Sequence, residues 1–469
     1  MSIDSSNKEY DFHVEEWQCI EASIKGKKEL LEIGLTCPDY RETASNYSKV
    51  ALRKKKYFER GRYFNAVGKT VNTLSGMVFE KDPEIDVPAQ MDYIYTTAGS
   101  DGANISDIAQ SVVAKLISVG RVGVFVDSPV NDAGQTIYEI ESGINVPQIT
   151  VYSAEQIFNW YSEGALQEVR LLETYSILDG LDRDFKTQIR RLVLVDGVYF
   201  NQVWRDYDLY SEVTPTSNGA TMNYIPFYFG GSTSNNTKID KPPMRDLSEY
   251  NIGHFLLDCD NRENLHFHGQ GMTNVYTDMS AEDFNSANPN GLDVGAKGVN
   301  QMRENDKIEI LQIASTGALT DGMERDEKRM IMLGAQLIVD TNSNTTLGAK
   351  EMEFSSSVST LKQVAHNASR LIEKSLQTIN DMLGLTNDVV FKLNNDFVLD
   401  VTDATLVATH LQSVVQGVLP ASTFYETARK AELTEKTDEE IEKDIADNAY
   451  IVPGQTLEQV EADLANEGE

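Results

Sequence analysis

A chain of 469 residues with 41% apolar side chains exceeds what one simple core organises, so several domains or one elongated assembly unit are expected. Forty-one basic against seventy-three acidic residues leave a formal charge of −32, which argues against tight, sequence-independent binding of nucleic acid by the surface as a whole. Cys19, Cys37 and Cys259 lack CxxC spacing, and no run approaches the roughly 18 to 20 apolar residues of a membrane span. A soluble protein of a reducing compartment, without a signal peptide or a membrane partner, is expected.

In chain order, Trp17, Ile20 and Ile24 sit at helical spacing and predict an amphipathic helix from Asp11 to about Leu31. A second helix is predicted from Tyr47 to Thr73, with interruptions. It carries Arg53, Lys54, Lys55, Lys56, Arg60 and Arg62, the most basic stretch of an acidic chain. A solvated helix face accounts for these charges; a docking surface for an acidic partner or DNA is the sharper alternative. Gly68, Lys69 and Thr70 raise the question of a phosphate-cradling loop. Such a loop needs a glycine five positions earlier, where Tyr63 stands, and a buried strand before it, where the sequence is charged and helix-favouring.

Ile105, Ile108, Val112, Leu116 and Val119 predict a helix stopped at Gly120, and Val122 to Val126 a short buried strand. Strands follow at Gln148 to Tyr152 and Glu168 to Ile177, and Asp196-Gly197 between two apolar runs signals a hairpin of type I′. The region of about 85–230 is thus an α+β domain, closed by the polar linker GGSTSNNTKIDKPP. A helix beginning near Pro243, a Gly/Asn-rich stretch to about Gly317 with a strand at Lys307 to Ile313, and a helix from Asp321 to Ile338 come next. Then comes VDTNSNTTLGAK, too small and polar to form a core.

Leu361, Val364, Ala368, Leu371, Ser375, Ile379 and Met382 form one stripe of a helix predicted from Glu351 to Leu383, about 50 Å long and hence a strut. A strand pair at Val389 to Val401 and a helical tail are expected after it. The last 39 residues hold thirteen acids and two lysines. Thr437 followed by Glu440 is a capping-box signal.

Candidate chemistry is sparse. His254, Cys259, His266 and His268 lie close in sequence, and a strand would turn His266 and His268 to one side, but no second pair at ligand spacing follows. No metal or cofactor is therefore expected. Asp258 and Asp260 begin like a calcium loop, yet Glu263 and Gly269 occupy the positions that need glycine and a carboxylate. No nucleophile or metalloprotease motif is present, so a catalytic site is not expected.

In order and spacing, GRYFNAVGKTVNTLSGMVFEKDPEI, LISVGRVGVFVDSP, VYSAEQIFNWYSEG, LVLVDGVYFNQVWR, IPFYF and PPMRDLSEYNIGHFLLDCDNRENLHFHGQG resemble the portal proteins of tailed bacteriophages. The resemblance is to the branch long catalogued as a domain of unknown function, and it runs through nearly the whole chain. It implies a ring at one capsid vertex, typically a dodecamer, through which double-stranded DNA is packaged, retained and ejected. A large terminase motor, head–tail adaptor and tail proteins, and major capsid and scaffolding proteins are the implied partners. The implied location is the virion, and the host cytoplasm during assembly.

The portal layout, carried onto this chain, gives an α/β wing over 1–242, stem helix 1 over 243–261, a small α/β clip over 262–317 and stem helix 2 over 318–338. A tunnel loop over 339–350, the long wing helix with returning strands over 351–402, and a helical crown with an acidic tail over 403–469 complete it. Thr341, Asn342, Ser343, Asn344, Thr345 and Thr346 are then the DNA-facing residues, and Glu304 and Asp306 the motor- and adaptor-docking positions. The tail past Pro453 would keep packed DNA from adhering. The alternatives are another head–tail component, such as an adaptor or minor capsid protein, and an ATP-driven packaging motor subunit.

Overall fold

The computed structural model describes residues 2–35, 47–128, 146–179, 182–217, 220–270, 272–288, 305, 307–311, 317–335, 347–395, 397, 411–414 and 420–430, with single positions between 434 and 443. The chain divides into two compact units, Met1–Phe397 and Val398–Glu469.

The first unit opens with α1 (Lys8–Lys25) and α2 (Lys27–Glu32). The single helix expected over this region is broken at Gly26, whose φ of 117° is open to glycine and ends α1 through its N–H on the Ala22 carbonyl. The predicted second helix is also two: α3 (Tyr47–Arg60) and α4 (Ala66–Val78). Strand β1 (Glu84–Asp86) and the short α5 (Ile94–Thr97) lead to α6 (Ile105–Ser118), which Asn104 caps through the Asp107 N–H at 2.9 Å. Gly120, at φ 69°, ends this helix as its sequence signal requires.

Strands β2 (Arg121–Asp127) and β3 (Gln148–Ser153) are followed by a meander of β4 (Ile157–Glu163), β5 (Ala165–Asp179), β6 (Asp182–Val195), β7 (Val198–Arg205) and β8 (Asp208–Val213). The β6–β7 turn is the expected one: Asp196 and Gly197 both have positive φ, 49° and 77°. The small pair β9 (Thr216–Ser217) and β10 (Ala220–Thr221) precedes β11 (Phe227–Gly231), which pairs with β2. The sheet β11-β2-β3 is wholly antiparallel, and β2 is its centre.

The stretch after β11 is polar, as the sequence shows, but it is pinned. Asp240 accepts from Thr233 and Ser234 N–H groups, Asn235 Nδ2 donates to the Asn367 carbonyl, and Asn367 Nδ2 donates to the Gly231 carbonyl. Helix α7 (Arg245–Gln270), β12 (Met272–Tyr276), α8 (Ala281–Ala287), β13 (Lys307–Leu311) and α9 (Ala318–Met330) follow. The expected helix to Ile338 is interrupted: a π-helical turn, Ile331–Ala335, contains Gly334 at φ 111°, and positions 336–346 lie outside the described residues.

The predicted strut is α10 (Leu347–Met382), about 54 Å long at 1.5 Å per residue. Leu361, Val364, Ala365, Ala368, Leu371, Ile372, Leu376 and Ile379 bury one stripe of it against α6 and β11, each large side chain contributing about 1.5–3 kcal/mol. Gly384 at φ 72° closes it, with Asn380 donating to the Leu385 and Asn387 carbonyls. Of the strand pair expected beyond it, one strand is described, β14 (Val390–Lys392), antiparallel to β1 from the other end of the sequence. Positions 398–401 are outside the described residues.

In the second unit, α11 (Ala421–Lys430) is described, and the Thr437–Glu440 box forms: Thr437 N–H donates to Glu440 Oε2 at 2.9 Å and Glu440 N–H to Thr437 Oγ1 at 3.4 Å.

Candidate functional site

The candidate region is α7, α9 and the insertion between them, with Leu247 of α7 and Met330 of α9 joined to the main core. Helix α7 buries Leu247, Ser248, Asn251, His254, Phe255, Asp258 and Cys259, spaced alternately three and four residues apart along much of the helix. Four of these are polar, which hides the stripe from a hydrophobicity scan. Each finds a partner on another element. Asn251 Oδ1 accepts from Ala66 N–H at 3.1 Å, Val67 N–H at 3.3 Å and the Tyr63 hydroxyl at 3.0 Å, while its Nδ2 donates to the Phe64 carbonyl at 2.7 Å. Asp258 accepts from Arg62 N–H at 2.6 Å and Arg262 Nε at 2.8 Å. Ser248 shares a hydroxyl contact of 2.7 Å with Ser23, and Arg60 pairs with Glu263. Gly61 is obligatory here, because a methyl group in its place would overlap Cys259 Sγ.

These contacts answer the question raised by Gly68-Lys69-Thr70. The segment is the first part of α4, and its opening amides are already consumed: Ala66 and Val67 by Asn251, Gly68 by Asn65 Oδ1 at 2.8 Å. The Thr70 hydroxyl bonds back to the Ala66 carbonyl at 2.9 Å. Side chain on Gly68 is barred by the Ile24 carbonyl. The loop is a helix junction with no N–H left for a phosphate.

Helices α7 and α9 run antiparallel. Tyr250 lies under Arg329 at 5.4 Å, His254 Nε2 meets Glu327 Oε1 at 3.1 Å, and Leu257 approaches Gly322. At their far ends β12 and β13 pair from Met272↔Leu311 to Tyr276↔Lys307, so the insertion is closed at its base by an antiparallel ribbon. Among the described residues no third strand joins it.

Residues 266 and 268 belong to α7, not to the strand that would have turned them to one side. The helix expected to end at Asn261 likewise continues to Gln270. His254 is committed to Glu327, and burial, then the charge of Asp258, push the Cys259 thiol up to about 12. The start of the calcium-like loop is helical too, with Asp260 accepting from the Tyr57 hydroxyl at 2.8 Å. Among the described residues no three His, Cys, Asp or Glu side chains gather as metal ligands, and no helix is long and apolar enough to cross a membrane. Thr341, Asn342, Ser343, Asn344, Thr345 and Thr346, with Glu304 and Asp306, lie outside the described residues.

An α+β protein with an antiparallel helix pair, a strand-closed insertion and a long packed helix is the class defined by this geometry. Residues 243–382, from the approach to α7 to the end of α10, match a family model described as Domain of unknown function (DUF4055). Among solved structures the chain is similar to an HK97 family phage portal protein from Corynebacterium diphtheriae, at 12% identity and a TM-score of 0.33, over 72% of this chain and 94% of that one. No curated protein matches.

Proposed function

We propose that the chain is the subunit of a phage portal: a ring at one capsid vertex that conducts double-stranded DNA and docks first the packaging motor and then the adaptor. The supporting observation is the order of parts. The portal-like segments of the sequence are followed by two antiparallel helices, α7 and α9, that bracket an insertion closed by β12 and β13, and then by the 36-residue α10. In this reading α7 and α9 are the stem, the β12–β13 ribbon offers free edges for strand addition between neighbours in the clip, and the polar stretch before α10 faces the channel. The charge of −32 suits a channel that must not bind: each neutralised phosphate releases counterions and adds affinity that would stall translocation.

A motor role is disfavoured by the occupied amides at Ala66, Val67 and Gly68. The test is electron microscopy of the purified chain with a parallel nucleotide-hydrolysis assay. Rings with a central hole and no turnover are expected. A strictly monomeric protein, or robust ATP hydrolysis, overturns the proposal.

A further inference from the structure

A pocket of about 320 Å³, at the small end of the ~300–1,000 Å³ range of ligand sites, lies where the end of β2 faces the middle of β6, β7 and β8. Asp127, Ser128, Gln148, Arg190, Asn201 and Ser211 are among its lining residues. The charges around it do not balance. Arg190 is taken by Glu173, Nε to Oε1 at 2.6 Å, and Glu173 is further held by the Tyr152 hydroxyl at 2.6 Å and Gln188 at 2.8 Å. Arg191, the next residue, projects to the other face of the sheet and is bound to Glu168. Asp127 is left with the N–H of its neighbour Ser128, with Arg190 at 3.7 Å, beyond hydrogen-bond length, and with a long bond of 3.4 Å from Asn201 Nδ2.

A carboxylate has about four acceptor positions, so about half of Asp127's capacity is left for a ligand in the pocket. Burial pushes its carboxyl above the usual range, and the charge of Arg190 opposes this. Nearby on β7, the hydroxyl of the fully buried Tyr199 has no hydrogen-bond partner. Residues 129–145, which connect Ser128 to Val146 on the pocket wall, contain no Lys or Arg, so that segment cannot supply the missing cation.

We propose that this pocket binds a monovalent organic cation, an ammonium or guanidinium head group, on the Asp127 carboxylate. Ser128, Gln148 and Ser211 supply neutral hydrogen-bonding groups around it, and Arg190, neutralised by Glu173, forms one wall. The head group comes either from a free amine or from a Lys or Arg side chain of a second copy. This holds whether or not the chain forms a portal ring.

The test titrates the full chain with agmatine and with n-butylammonium by calorimetry, with n-butanol and matched sodium chloride as controls. Saturable binding of both amines at one site and none of butanol is expected. Asp127→Asn should weaken it by about tenfold or more, the loss of a charge-assisted bond. Ser211→Leu, which narrows the pocket without touching the carboxylate, should weaken it too, and serves if the first variant fails to fold. Impaired self-association of Asp127→Asn, with agmatine competing in the parent, identifies a second copy as the source; intact self-association with amine binding lost identifies a free amine. No saturable amine binding to the parent, or equal binding to parent and both variants, overturns the proposal.

Discussion

Removing the Asn251 side chain tests whether α7 holds the N-terminal helices through polar contacts. In Asn251→Ala the bonds to Ala66 N–H, Val67 N–H and the Tyr63 hydroxyl are lost together with the donor to the Phe64 carbonyl. Tyr63 keeps the Ser23 carbonyl as acceptor at 2.7 Å, and Ala66 N–H keeps a contact of 2.9 Å with Phe64, so these groups are only partly orphaned. Val67 N–H is left buried at the start of α4 with nothing in reach, a cost of about 1–3 kcal/mol. The Asn65 cap on Gly68 N–H stays in place, so a loss of about 1–3 kcal/mol should lower the urea midpoint of the isolated subunit with little change in slope. Asn251→Asp, which keeps the acceptor but not the donor, should fall between parent and alanine variant. A change within about 0.5 kcal/mol for Asn251→Ala, the range of an indifferent surface substitution, refutes the reasoning.

Gly61→Ala should cost about 1–3 kcal/mol by overpacking against Cys259, and Cys259→Ala in the same chain should recover part of it in a double-mutant cycle. For Glu173, burial alone would raise the carboxyl, but the charge and hydrogen bond of Arg190, with the bonds from Tyr152 and Gln188, hold it below the usual range. A lowered folded value contributes stability that is present above the unfolded range near ~4.3 and lost as pH falls through the folded one. Glu173→Gln should therefore flatten the acid limb of a stability–pH profile and cost about 3 kcal/mol at neutral pH, measured by urea melts; an unchanged acid limb would count against the assignment. Deleting Asn342 to Thr345 should leave ring assembly intact and impair retention of packaged DNA, scored by the length of protected DNA; full retention, or rings that fall apart, would remove the tunnel-loop assignment. Charge reversal at Glu304 and Asp306 should weaken motor pull-down while rings still form, and unaltered pull-down would discount the clip as the docking face.

The sequence by itself determined those elements whose cause is local. The stripe Ile105, Ile108, Val112 and Leu116 repeats at helical period and forms α6; Leu361 to Ile379 does the same for α10. Asp196-Gly197 makes its turn because its backbone needs two positive φ angles, and Thr437 with Glu440 closes its box within three residues. Only the tertiary structure decided what α7 does. Its buried face carries Ser248, Asn251, His254 and Asp258, residues that read as solvated until their partners, Ser23, the α4 amides, Glu327 and the Arg62 amide, are brought to them from distant parts of the chain.

The same reason governs β14. Val390–Lys392 is a strand as expected, but its partner among the described residues is Glu84–Asp86, and nothing in either stretch names the other. Asp127 is likewise an ordinary acid in the sequence; it becomes an underpaired one only because Glu173, on another strand, takes Arg190 first. Hydrophobic period and turn chemistry are written residue by residue, whereas a buried polar group is paid for by partners that folding alone brings within reach.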